Sequence, residues 1–199
     1  MNKLTKILTT FGGLLLVGLP LFAQGGPRGG NGAPAGAACP VCAATPAATQ
    51  PLTLEETKWL LFLREEEKLA RDVYLNLYDK WKLIVFSNIA QSEQRHFDAV
   101  GVLLARYGVA DPASDKPGVF VNPDLQKLYD NLIRDGQASA LAALQAGATI
   151  EKHDIQDLMQ AISATNKADL ERVYRNLLSG SLSHLEAFES HLEVLGVTP

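Results

Sequence analysis

The sequence predicts an all-α protein: four long helices arranged as two antiparallel hairpins, joined by a long crossover that contains a short helix. Three observations predict it. From Pro51 onward, apolar residues recur at alternating steps of three and four along four stretches, the period of a helix face. Strand signals are missing, with neither sustained two-residue alternation nor an Asn-Gly hairpin turn. Between Pro51 and Pro199 the prolines gather in a single connection, at Pro112, Pro117 and Pro123.

The elements follow in order. Lys3 and Lys6, the apolar run Phe11–Leu19 and the small residue Ala23 read as a secretory leader over residues 1–23, cut before Gln24. The expected location is therefore exported, periplasmic or secreted, with no membrane association after cleavage. Residues 24–50 are rich in Gly, Ala and Pro. They cannot bury enough apolar surface to offset their ordering entropy, so a flexible tether is expected. The tether carries Cys39-Pro40-Val41-Cys42. In an exported chain this reads first as a local disulfide or cross-linking site, with a redox pair or half of a metal knuckle as alternatives.

The fold proper is expected over 51–199. Thr53-Leu54-Glu55-Glu56 has the form of a capping box and opens a first helix running to about Lys80. A second spans about Leu83–Tyr107, with Gly108 as its stop. The connection 108–136 holds a short helix near Asp124–Arg134. A third long helix covers about Ala138–Ala164, with Gly147 as a point of bending. Thr165-Asn166 is expected to cap a fourth, about Lys167–Leu195.

Composition narrows the function. Of 199 residues, 47% are apolar and 20% charged, which suits a globular domain. The net charge of −4, or −6 once the leader's two lysines are gone, argues against a nucleic-acid partner. No phosphate-binding loop, dinucleotide fingerprint or nucleophile elbow is present.

The helix faces carry the chemistry. The first seam reads Leu60, Leu63, Glu67, Ala70, Tyr74, Leu77, Trp81. The second reads Phe86, Ile89, Glu93, His96, Val100, Leu103, Tyr107. The third reads Leu141, Leu144, Ala148, Glu151, Ile155, Leu158, Ile162. The fourth reads Leu170, Tyr174, Leu177, Ser181, His184, Phe188, His191, Leu195. Each seam is apolar at its ends and polar in its middle. Carboxylates buried together in a dry volume repel one another, and a multivalent cation held by oxygen and imidazole compensates them. Glu93 and His96 lie one turn apart on one face, so both reach one ion. Glu67 lies 14 residues before Trp81 and Glu93 12 after it, which sets them level within roughly 3 Å in a hairpin.

These residues resemble the ferritin-like superfamily, rubrerythrin in particular. Glu67-Lys68-Leu69-Ala70-Arg71-Asp72-Val73-Tyr74 looks like the first-helix motif Glu-x-x-Ala-Arg-x-x-Tyr. Glu93-Gln94-Arg95-His96 matches the Glu-x-x-His of the second helix, and Glu151 with Asp154 resembles the acidic pair of the third. The stretch from about Leu52 to Leu195 resembles, more closely still, the uncharacterised ferritin-like family known as domain of unknown function 2202. The resemblance implies a ferritin-like four-helix bundle whose metal ligands are Glu67, Glu93, His96, Glu151 and His184, with Asp154 as a further carboxylate. It also implies iron as cofactor, with manganese and zinc as alternatives, and chemistry with oxygen or peroxide, or iron handling. Such bundles often associate, so a homo-oligomer is compatible with it. The fourth helix departs from the pattern. Ser181 stands where the superfamily has Glu, which leaves open one metal or two, and Asp154 is placed to supply the missing carboxylate. The four-cysteine electron-transfer module of rubrerythrin is also missing.

Alternatives stand beside these assignments. Glu66 lies on a line with Trp59, Phe62, Leu69 and Val73 and rivals Glu67, which the family match favours. Glu65 falls with Lys58, Lys68 and Asp72 on a polar line assigned to solvent. His153 is expected to be exposed and His191 structural. Tyr74 and Tyr174 are expected to be core residues, or donors to the ligands. The alternative to a metal-dependent oxidoreductase is a non-catalytic helical module in which the buried polar layer only sets helix register.

Overall fold

The computed structural model describes residues 50–197. They form five helices: α1 (Leu54–Trp81), α2 (Ile84–Tyr107), α3 (Pro123–Gly136), α4 (Ala140–Ser163) and α5 (Ala168–Val194). Among the described residues there is no strand. The expected leader, the tether and the Cys39/Cys42 pair lie outside the described residues. No described helix is long and apolar enough to cross a membrane.

The helix ends follow their local chemistry. Thr53 Oγ1 accepts from Glu56 N at 3.1 Å, and Glu56 Oε2 accepts from Thr53 N at 2.8 Å, which completes the capping box. α2 stops at Gly108, whose φ of 66° is readily adopted without a side chain. Asn122 caps α3 ahead of Pro123, and Ser139 caps α4. The start of α5 differs from expectation: Lys167 occupies the cap position and makes no side-chain cap bond. Thr165 Oγ1 instead accepts from Lys167 N at 3.1 Å and donates to Glu56 Oε1 at 2.7 Å, so it ties the α4–α5 turn to the start of α1.

α1 packs along α2, and α4 along α5; α1 also meets α4, and α2 meets α5, so each long helix touches two others. α3 lies against α1 and α4. The apolar interior divides into two clusters. One holds Tyr74, Phe86, Leu144 and Phe188; the other holds Leu60, Leu63, Val100, Leu103, Leu158 and Tyr174. Burial of such side chains contributes on the order of 2 kcal/mol each. Between the clusters in sequence, along all four long helices, lie the polar members of the seams.

Two expectations are corrected. First, the polar line of α1 is not solvated: from Leu63 to Ala70 every residue is buried, and so is Asp72. The crossover runs over this face, and its backbone groups need partners there. Glu65 accepts from Val121 N at 2.6 Å and Asn122 N at 2.9 Å. Lys68 Nζ donates to Asp72 at 2.7 Å and Lys116 O at 2.9 Å, while Asp72 accepts from Gly118 N at 2.9 Å. Arg64 reaches Asp111 at 2.6 Å. Lys58 alone of the line stays exposed. Gly147, the expected point of bending, lies inside the unbroken α4. A Cβ there would meet the Phe188 ring at 2.6 Å, so the glycine admits an aromatic ring and does not break the helix. Second, the α5 seam passes from Phe188 to Leu192, leaving His191 exposed. His153 is exposed as expected.

Candidate metal centre

The four long helices bring the polar seam residues into one buried layer. α1 supplies Glu66 and Glu67, α2 supplies Glu93 and His96, α4 supplies Glu151 and Asp154, and α5 supplies Ser181 and His184. Glu67, Glu93 and Glu151 are each 1% exposed, while His96 and His184 keep a thin edge to solvent.

Glu93 is the hub. Its Oε2 lies 2.9 Å from His96 Nδ1, and its Oε1 lies 2.8 Å from His184 Nδ1. His96 Nδ1 also lies 3.3 Å from Glu67 Oε2, and His184 Nδ1 lies 3.6 Å from Glu151 Oε2. Two sets of three ligand atoms result, Glu67–Glu93–His96 and Glu93–Glu151–His184. Within each, the atoms lie no more than 4.8 Å apart. The two imidazoles stack at 5.5 Å between centroids.

The two nitrogens and the Oε1 of Glu93 have no partner besides one another, and Glu67 Oε1, Glu66 Oε2 and Asp154 Oδ1 have none. Buried polar atoms are ordinarily satisfied, and leaving one unpaired costs about 1–3 kcal/mol, more for a charged group. Converging unpaired oxygens and imidazole nitrogens form a donor set that a first-row divalent ion satisfies. The residues present therefore fit a metal.

The electrostatics agree. Burial pushes the Glu67 carboxyl well up, as do the nearby Asp154 and Glu93. Burial and then Glu93 push Glu151 to about 7; burial and then Glu151 push Asp154 to about 8. Burial acts on Glu93 in the same sense, but the imidazoles of His184 and His96 outweigh it and hold this carboxyl down at about 2. His184 rises to about 9 against its own burial because Glu151 and Glu93 favour its charged form; His96 rises for the like reason. Carboxyls and imidazoles shifted upward in this way favour their protonated forms. A bound cation displaces them.

Hydroxyl donors fix the carboxylates of the layer. Tyr74 OH donates to Glu151 Oε1 at 2.5 Å. Ser181 Oγ donates to Asp154 Oδ2. Asp154 is thus in the layer but belongs to neither three-residue set. The Tyr174 hydroxyl, a candidate donor from sequence, is buried with no partner and serves the apolar cluster. The choice between Glu66 and Glu67 is resolved unexpectedly: both are buried, with Glu67 in a ligand set and Glu66 in neither.

Sequence reading missed Gly180. A Cβ at this position would sit 2.6 Å from His96 Cε1 and Nε2, so the glycine lets the imidazole pass close to α5. The available signal was the glycine itself, which destabilises a helix interior by about 1 kcal/mol relative to alanine and so implies a packing reason.

Similar proteins place the chain. Residues 56–198 match the family model described as "Uncharacterized protein domain (DUF2202)". An uncharacterized protein, MJ0754, from Methanocaldococcus jannaschii is 51% identical over 148 residues, covering 74% of this chain and 80% of that protein. The crystal structure titled hypothetical protein MJ0754, from Methanococcus jannaschii, superposes with a TM-score of 0.75 at 49% identity, covering 76% of this chain and 87% of that one. A crystal structure of a DUF305 fragment from Deinococcus radiodurans shares the fold alone, with a TM-score of 0.59 at 13% identity over 72% of this chain and 99% of that one. By the family match and the identity to this relative, the chain belongs to the DUF2202 family.

Proposed function

We propose that this protein is a ferritin-like four-helix bundle that binds iron in a carboxylate–histidine centre, with manganese and zinc as competing occupants. What carries the reading is the position of Glu93, one oxygen against each of two imidazoles, with the neighbouring donor atoms otherwise unpaired. Glu67 and His96 would complete one half of the centre, and Glu151 and His184 the other. Three carboxylates with two imidazoles suit iron or manganese better than structural zinc, which prefers thiolates and tetrahedral closure.

When bound, such a metal supplies redox chemistry with oxygen or peroxide, or storage and transfer of iron itself. The chain's own residues have defined tasks. Tyr74 fixes Glu151. The two apolar clusters on either side keep bulk water from the layer. The thin solvent edge at His96 and His184 is where a small oxidant would approach. The proposed setting is outside the cytoplasm, reached by the sequence's N-terminal leader.

Metal analysis of the full chain purified without chelator tests the reading. At least one equivalent of transition metal per chain is expected, with iron taken up preferentially on aerobic addition of Fe(II). A protein that binds no transition metal at micromolar concentration is a helical module with a register-setting polar layer instead.

A further inference from the structure

We infer that a divalent cation reaches the centre between α1 and α4, along a file of three carboxylates, Asp157, Glu66 and Asp154, that begins in an open groove beside Trp59 and Phe62. The inference rests on the metal-binding reading and adds the route by which the metal enters.

The groove, of about 580 Å³, is walled by Leu54, Glu55, Lys58, Trp59, Phe62 and Asp157. Its α1 wall runs along one helix face, and Glu66 is the next residue on that face, four after Phe62. Asp157, partly exposed, lines the groove from α4, the helix that packs against α1 where Glu66 lies. Asp154 lies one turn before Asp157 on α4, buried, on the side of the ligand residue Glu151. The file therefore leads from solvent to a residue of the ligand layer in steps of one carboxylate each.

Burial separates this file from an ordinary acidic surface. Glu66 and Asp154 are each 4% exposed, and each keeps one carboxyl oxygen, Oε2 and Oδ1, without a partner. Glu65, the equally buried neighbour, shows what a structural carboxylate looks like here, with both oxygens capped by crossover N–H groups. A glutamine or leucine would serve packing at position 66 with less penalty than an acid whose oxygen faces nothing. Oxygen atoms left open in sequence suit a hard or borderline cation that exchanges its hydration shell stepwise.

Loading kinetics test the route. The full chain, stripped of metal, is mixed with Co(II) under anaerobic conditions, and the rise of the Co(II) absorption is followed for wild type, Glu66→Gln and Asp157→Asn. Glu66→Gln keeps the side chain's shape, and Asp157→Asn lies at the groove, so the second variant reports even if the first is poorly folded. Loading is expected to slow about tenfold or more in each variant, in the range that focused charge gives to association rates. The final stoichiometry and spectrum should match wild type. Rates within twofold of wild type overturn the route and leave entry at the His96–His184 edge. A lowered stoichiometry in Glu66→Gln also overturns it, by making Glu66 a ligand. Wild type that takes up no Co(II) removes the centre and the route together, which separates the two failures.

Discussion

Ser181 of α5 donates its hydroxyl hydrogen to Asp154 of α4, across the middle of the polar layer. On the proposed ferritin-like reading a carboxylate would stand where Ser181 does, and here a carboxylate comes from the facing helix instead. The layer is therefore lopsided, with Glu93 as the one acid that touches both imidazoles.

Restoring a carboxylate at this position should increase metal capacity. Ser181→Glu is expected to bind one ion more per chain than wild type, or to tighten the weaker of two ions by about tenfold or more. Asp154→Ala is expected to lower affinity by about 10- to 100-fold, the usual effect of losing a supporting group around a metal site. Equilibrium titration with Fe(II) or Mn(II) measures both. Equal stoichiometry and affinity in wild type and Ser181→Glu would show that position 181 does not face the ion.

Gly180 gives a test in which stability and function part. Alanine raises intrinsic helix stability by about 1 kcal/mol, yet its Cβ would stand 2.6 Å from the His96 ring. Gly180→Ala should therefore weaken metal binding, by about tenfold or more if His96 leaves the layer. In a His96→Ala background the same change should raise the melting temperature and leave metal binding as it was. A Gly180→Ala protein with wild-type affinity would show that the imidazole does not need this approach.

Most of the fold was legible because periodicity reports burial directly. The seams were readable except at the end of the last, where His191 and Leu195 are exposed, and the level estimate for Glu67 and Glu93 agrees with their meeting at His96 Nδ1. What misled was the face of α1 bearing Glu65, Lys68 and Asp72. These look like solvated charges, and local sequence does not tell that a loop some 50 residues away will lie across them. The same blindness applies to Glu66 and Gly180. Each owes its role to a neighbour on another helix, Asp157 in one case and His96 in the other, and a one-dimensional pattern carries no such pairing.

Away from the centre, the contact of Tyr107 and Arg106 with Asp169 predicts how stability responds to pH. Tyr107 OH donates to Asp169 Oδ1 at 2.9 Å, and Arg106 lies 3.0 Å from Oδ2. Burial opposes the charge on Asp169, but these two donors hold its carboxyl below the usual range. Its stabilisation is present above pH 3.8, the ordinary value, and is lost as pH falls through the lower folded value. Burial and the Asp169 charge push Tyr107 up to about 12 from 10.0, so its contribution is full below pH 10.0 and fades as pH rises through about 12. The stability gap between wild type and Asp169→Asn, read from urea midpoints, should close in acid, and the gap to Tyr107→Phe should close in strong base. A gap that is flat at both extremes would show that the pair contributes nothing ionic.

The central claim is that one carboxylate, Glu93, organises a metal centre between two imidazoles, and Glu93→Ala tests it most directly. Melting temperature and bound metal are measured for wild type and variant, with and without added Fe(II) under anaerobic conditions. For wild type, metal at about 100 times its dissociation constant should stabilise the fold by about 2.7 kcal/mol and raise the melting temperature accordingly. The variant, deprived of the residue common to both ligand sets, should bind no metal and show no such rise. An equal rise and equal metal content in wild type and Glu93→Ala would contradict the account.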